Sequence, residues 1–258
     1  MSPWMLEARR AVRAWRPSSR PGAATLFVQP GRVWQLHSAV PATELDSVPA
    51  WCHQHPGTSL RLLVSGHLTH QLCANDPTLP LHSEEDVQAW ARHQWQHYHG
   101  SVAEQWPMVA WCRGDERGAS ALHGLDLAAL RQAAQAHRVS LLAVDPWWTA
   151  ALRRVSIVRP AWGQGKRATL WLVEGALCTA VQVAEGRVLD LRTRYLEAAN
   201  AEALAERLLG LGDDDSLLPG DLLMGYGIDG EARLPAVMHS ARLGTLAGGC
   251  PVPVEGAG

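Results

Sequence analysis

The chain is nearly without lysine: Lys166 stands alone among 23 basic residues, and the rest are arginine. A P-loop needs lysine inside a glycine-rich turn. The only candidate, Trp162-Gly163-Gln164-Gly165-Lys166-Arg167, lacks the G-x-x-x-x-G-K-[ST] spacing, which excludes Walker-type nucleotide hydrolysis. Long apolar runs are also missing. The strongest, Leu60–Val64 and Leu170–Val173, fall far short of the roughly 18 to 20 residues that span a bilayer, so an integral helical membrane protein is not expected. The five cysteines (Cys52, Cys73, Cys112, Cys178, Cys250) are odd in number and form no C-x-x-C pair. They provide neither a disulfide framework nor a structural zinc site and fit a reducing cytosol. No G-x-S-x-G elbow occurs, so serine hydrolase chemistry has no support.

Apolar residues make up 47% of the 258 and charged ones 19%, enough for a packed core and against disorder as the main state. The net charge of −2 hides an asymmetry. Arg9, Arg10, Arg13, Arg16 and Arg20 face Glu7 alone in the opening segment, so the remainder is acidic. Met1–Trp15 reads as a short amphipathic helix, with Trp4, Ala8, Val12 and Trp15 on one stripe and arginines on its flanks. Such a helix suits an anionic membrane surface or a partner's groove, and equally suits packing on its own domain. It lacks a secretory cleavage pattern and is read as part of the mature protein.

Ser18–Ala24 reads as a linker, and the folded body is expected to begin with strands Thr25–Val28 and Val33–Leu36 around the turn Pro30-Gly31. A helix is expected over Thr43–His53, then strands Leu60–Val64 and Leu68–Cys73, then a helix opened by Ser83-Glu84-Glu85-Asp86 and closed by Gly100. Short strands at Met108–Cys112 and Ala119–Leu122, a helix from Asp126 to Ala136, and a strand Val139–Val144 follow, with a short helix at Trp147–Leu152. The second half reads as strands Val155–Val158, Ala168–Val173, Leu177–Val183 and Val188–Leu191, a helix Ala201–Leu209, and a last strand Asp221–Met224. The resulting division is a basic helix at 1–20, sub-domains at 24–152 and 153–243, and a mobile tail at 244–258. Strands first and helices after, in both halves, point to α/β architecture with mixed sheets.

Candidate chemistry is sparse. His93 and His97 stand one helical turn apart, but the residues between them are Gln94, Trp95 and Gln96, so the H-E-x-x-H general base is absent and solvated histidines explain them. Cys52 beside His53 and His55 suggests a nucleophile, yet adjacent helical positions do not face each other, and burial explains the cysteine. Asp145 and Asp190 at strand ends, and Asp46 and Asp126 at helix starts, read as caps or turn residues and not as a two-metal site. Nucleic acid is not an expected partner, because only the first twenty residues are basic. Twelve tryptophans, among them Trp147-Trp148, Trp90, Trp95, Trp106 and Trp111, exceed the usual need of one core, so an exposed aromatic patch for a protein partner is expected.

From Thr25 to Tyr226 the segment order resembles the actin-like, RNase H-like proteins of bacterial envelope assembly machines, namely the cytoplasmic domain of the type II secretion L protein and the type IV pilus M protein. Leu26-Phe27-Val28-Gln29-Pro30-Gly31-Arg32-Val33-Trp34 occupies the place of the family's first strand and turn. Leu79-Pro80-Leu81 before the Ser83 helix, Val109–Cys112, and Leu125-Asp126 running on to Asp145-Pro146 are similar to its later steps. Leu170-Trp171-Leu172-Val173-Glu174-Gly175-Ala176-Leu177-Cys178-Thr179-Ala180-Val181 resembles the strand, turn and strand that open the family's second half.

The resemblance implies a fold of mixed sheets flanked by helices in two sub-domains. Its nucleotide-binding members carry an aspartate and a glycine in each strand-turn step, where amides cradle phosphate and carboxylates hold Mg²⁺. Here Val28, Gln29 and Pro30 fill the first step, and Val173 stands where the second aspartate belongs. The implied protein has no cofactor, no metal and no catalytic residue. It is a cytoplasmic scaffold, peripheral to the inner membrane, joining a bitopic inner-membrane subunit to an assembly ATPase. Trp4, Arg9, Arg13, Trp15, Trp147 and Trp148 are its expected partner-binding residues, residues 1–16 an expected membrane contact, and a homodimer is compatible with it. The alternatives are an RNase H-like or histidine-metal hydrolase and an adaptor with atypical ATP binding.

Overall fold

The computed structural model describes residues 23–37, 40–74, 76, 78–113, 116–209 and 216–251. The expected leading helix, with Trp4, Arg9, Arg13 and Trp15, lies outside the described residues. In chain order the elements are β1 (Ala24–Gln29), β2 (Arg32–Leu36), β3 (Thr43–Leu45), α1 (Val48–Gln54), β4 (Ser59–Val64), β5 (Thr69–Cys73), α2 (Glu84–His99), β6 (Met108–Arg113), β7 (Glu116–Leu122), α3 (Leu127–Ala136), β8 (Ser140–Pro146), α4 (Trp147–Val158), β9 (Ala168–Glu174), β10 (Leu177–Ala184), β11 (Arg187–Tyr195), α5 (Ala201–Leu209), β12 (Leu222–Tyr226) and α6 (Ala236–Ala241). Two compact units divide at Thr149 and Ala150. The sequence put that division at residue 152.

In the first unit a five-stranded sheet has the order β3-β2-β1-β4-β8, with β1 antiparallel to β2 and parallel to β4. Leu26, Phe27 and Val28 are all buried, as a central strand covered on both faces requires. Leu26 and Val28 pack with Val48, Trp51 and Cys52 of α1 and with Leu127, Leu130 and Ala134 of α3. On β1's other face the Phe27 ring meets Trp147 edge to face at 6.2 Å.

Between β4 and α3 the chain inserts a second layer, the three-stranded sheet β5-β7-β6. Val87, Ala91 and Trp95 of α2 pack on Met108, Ala110, Ala119 and Ala121 of that sheet. Helix α2 starts with the expected capping box, Ser83 accepting from the Asp86 N–H at 3.1 Å while Asp86 accepts from the Ser83 N–H at 2.9 Å.

The second unit repeats the β3-β2-β1-β4 part of the first sheet, without a counterpart of β8. Its sheet order is β11-β10-β9-β12, with β9 antiparallel to β10 and parallel to β12. Trp171, Val173, Leu204, Leu208, Leu223, Ile228 and Met238 form its core.

Three local expectations are corrected. Val155–Val158 is not a strand but the end of α4, because Trp147, Ala151, Leu152 and Val155 form one buried helical stripe that outweighs the β-branched composition. The helix expected from Thr43 begins instead after Ser47, whose hydroxyl accepts from the Ala50 N–H, and Thr43–Leu45 pairs with β2. The segment from Gly244 to Pro251, expected to be mobile, is packed: Leu246 is fully buried and its carbonyl accepts from the Ile228 N–H at 2.9 Å.

Candidate functional site at the strand-turn steps

In the first unit β1 turns into β2 through Pro30 and Gly31, with Gly31 at φ 72°. Proline has no N–H to offer a phosphate. The Val28 carbonyl just before this turn accepts from the N–H of Ser65, a fully buried residue at the end of β4, at 2.9 Å. Asp145, expected to be a turn residue, lies at the end of β8 and is buried. Its carboxylate is held by the Arg61 guanidinium of β4 at 3.1 Å, so its charge is already matched.

The second unit closes its step more tightly. Glu174 is buried at the end of β9, and Tyr226 of β12 donates its hydroxyl hydrogen to Glu174 Oε2 at 2.9 Å. The N–H of Gly175, in the turn after β9, donates to the Tyr226 carbonyl at 2.9 Å. Glycines allow this approach. A Cβ on Gly225 would sit 2.1 Å from the Val173 carbonyl oxygen, and one on Gly227 (φ 77°) would sit 3.0 Å from the Gly175 nitrogen. The sequence did not reveal this clasp, although Gly225-Tyr226-Gly227 beside an expected strand was its visible trace.

Each step is filled from within its own unit: Pro30 offers no N–H and Asp145 is paired with Arg61 in the first, while the Gly175 amide and the Glu174 carboxylate are both taken by Tyr226 in the second. Among the described residues no group of three or more His, Cys, Asp or Glu side chains is arranged to hold a metal.

The remaining expected residues are placed as follows. Trp147 is 4% exposed, which leaves it little area for a partner, and Trp148 is half-buried with its ring 6.2 Å from Trp111. Every described tryptophan is buried or half-buried, and the large exposed aromatics among the described residues are Tyr98 and Tyr195; Trp4 and Trp15 lie outside the described residues. His93 and His97 lie on the exposed face of α2. Cys52 is fully buried, and burial pushes its thiol pKa up, so it is a packing residue. Asp126 caps α3 through the Ala129 N–H at 2.9 Å. Asp190 lies inside β11, accepting from the Leu191 N–H and from Arg192.

No family model matches the sequence, and no curated protein does. Solved structures do. A Bacteroides thetaiotaomicron protein of unknown function with an actin-like ATPase fold is similar at TM-score 0.53 and 11% identity, over 86% of this chain and 87% of that one. The cytoplasmic domain of EpsL, an inner-membrane component of the Vibrio cholerae type II secretion system, overlays at TM-score 0.49 and 11% identity, over 83% of each chain. A PilM–PilN type IV pilus biogenesis complex overlays at 0.49 and 12%, over 74% of this chain and 65% of that one. The fold is actin-like: mixed α/β, with sheets flanked by helices.

Proposed function

We propose that the chain is a non-catalytic actin-like scaffold on the cytoplasmic side of the inner membrane, linking the membrane platform of a type II secretion or type IV pilus-like machine to its assembly ATPase. The observation that carries the non-catalytic part is the spent Gly175 N–H, held by the Tyr226 carbonyl at 2.9 Å where a nucleotide-binding relative would offer it to phosphate. The segment order from Thr25 to Tyr226 supports the secretion or pilus setting. An RNase H-like hydrolase would need free carboxylates at strand ends, and the Arg61–Asp145 ion pair works against it.

In this role the partners are a bitopic inner-membrane subunit and the assembly ATPase. The basic segment with Trp4, Arg9, Arg13 and Trp15 docks on the membrane or on the bitopic subunit. No helix among the described residues is long and apolar enough to cross a membrane.

The test is affinity capture from native lysate at low and moderate salt, comparing the full chain with one lacking residues 1–20. Recovery of an assembly ATPase or a single-span inner-membrane subunit by the full chain, weakened by the deletion, is the expected result. Recovery of neither, with turnover of MgATP by the purified chain, contradicts the proposal.

A further inference from the structure

Three histidines from distant parts of the sequence meet a tryptophan at the edge of the three-stranded sheet. His70 lies on β5, opposite Ala121 of β7. His99 ends α2, and His123 follows β7, its N–H held by the Leu68 carbonyl at 2.9 Å. The His70 ring packs against His123 at 4.2 Å and Trp106 at 4.9 Å, both nearly parallel to it, and against the tilted His99 ring at 4.4 Å. Trp106 also meets His99 at 5.0 Å and His123 at 5.4 Å.

The three imidazoles are not among any described group of side chains arranged to hold a metal. Neutral imidazoles stack favourably. A single imidazolium is tolerated against an indole face, but two or three at these separations repel one another in a half-buried setting.

We infer that His70, His99 and His123 with Trp106 form an acid-sensitive clasp, which holds the end of α2 and the turn Gly100–Gln105 on the sheet edge at neutral pH and releases them in mild acid. Among the described residues the charged groups that bear on His70 are His123 and His99. Glu104, in the same turn, gives its carboxylate to Gln96 of α2 at 3.0 Å, and its carbonyl accepts from Arg92 at 2.7 Å. On α2 itself the His97 ring packs on Tyr98. Burial, then His123 and His99, push the His70 pKa down to about 4. Burial and His99 push that of His123 down as well.

The direction of linkage follows. A histidine whose folded pKa lies below its free value binds protons more readily once released, so the closed clasp is at full strength above pH 6.5 and weakens as pH falls toward about 4. From His70 alone, opening rises on the order of a hundredfold between pH 7 and pH 4.

The test is hydrogen exchange of the full chain across pH 7 to 4, corrected for intrinsic rates and read on peptides covering residues 98–107, with the histidine Cε1 resonances titrated in parallel. The expected result is selective loss of protection in that segment as pH falls, and a His70 resonance that titrates near about 4. His70→Phe is expected to flatten the rise to less than tenfold. His99→Gln, at an exposed position that does not threaten folding, moves the His123 and His70 titrations toward ordinary values and shrinks the rise. Unchanged exchange at 98–107, loss no greater than in the rest of the chain, or a rise that survives His99→Gln undiminished overturns the clasp.

Discussion

The Tyr226 hydroxyl hydrogen bonds Glu174 Oε2 at 2.9 Å, while the Tyr226 carbonyl takes the N–H of Gly175, so one residue of β12 occupies both the carboxylate and the amide of the second strand-turn step. Tyr226→Phe removes a buried hydrogen bond to a carboxyl group and keeps the ring. A loss of about 1–3 kcal/mol is expected, with an unchanged denaturant m-value, measured by urea unfolding.

The two turn glycines separate backbone strain from crowding. Gly31 has φ 72° with open space around its missing Cβ, whereas Gly227 has φ 77° and the Gly175 nitrogen 3.0 Å away. Gly31→Ala is expected to cost about 1 kcal/mol, the left-handed backbone penalty. Gly227→Ala adds crowding and is expected to cost about 2 kcal/mol or more. Equal melting temperatures for the two variants would remove the tight approach from the description of the site.

Arg117 is nearly fully buried and ties down the approach to α2, donating to the carbonyls of Asp76, Leu79 and Leu81 at 3.1, 3.1 and 3.4 Å. A planar fork reaches three carbonyls where an ammonium does not. Arg117→Lys is expected to lower stability by about 2 kcal/mol and to raise proteolytic cleavage after Leu81, read by limited chymotrypsin digestion with mass mapping.

Glu231 anchors the segment after α6. Burial tends to raise its pKa, but the Leu246 N–H, the Thr245 hydroxyl, the Ala247 N–H and Arg242 together hold it below the usual carboxylate value of 4.5. The native state therefore keeps this charge longer than the unfolded chain does. The stabilisation is complete above pH 4.5 and disappears as pH falls through the depressed folded value. Glu231→Gln is expected to be about 1 kcal/mol less stable at pH 7, with the gap to the parent closing as the pH is lowered through that window. Alkylation of buried Cys250, mapped by mass spectrometry at pH 7, should be faster in the variant.

Local signals in the sequence carried much of the fold. The apolar Leu26–Val28 and Leu170–Val173 runs mark central strands because both faces are covered, and Ser83 with Asp86 marks the start of α2 through hydrogen bonds only three residues apart. What stayed hidden depends on residues far apart in sequence. Composition made Val155–Val158 look like a strand, and only the burial of Trp147, Ala151, Leu152 and Val155 together shows a helix. The Arg61–Asp145 pair and the Glu174–Tyr226 clasp join positions 84 and 52 residues apart, beyond any periodic pattern. Trp147 looked available to a partner because its sequence context says nothing of Phe27, whose ring it meets in the core.

Thermal denaturation of the full chain with increasing MgATP, run beside a phosphate-release assay, tests the closed strand-turn steps most directly. A ligand that binds the native state raises the melting temperature by mass action. No shift at millimolar MgATP and no phosphate release is the predicted result, and it is expected for Tyr226→Phe as well, because the carbonyl of residue 226 still takes the Gly175 N–H. A saturable rise in melting temperature, or release of phosphate above the blank, would contradict the reading of this actin-like protein as a non-catalytic scaffold.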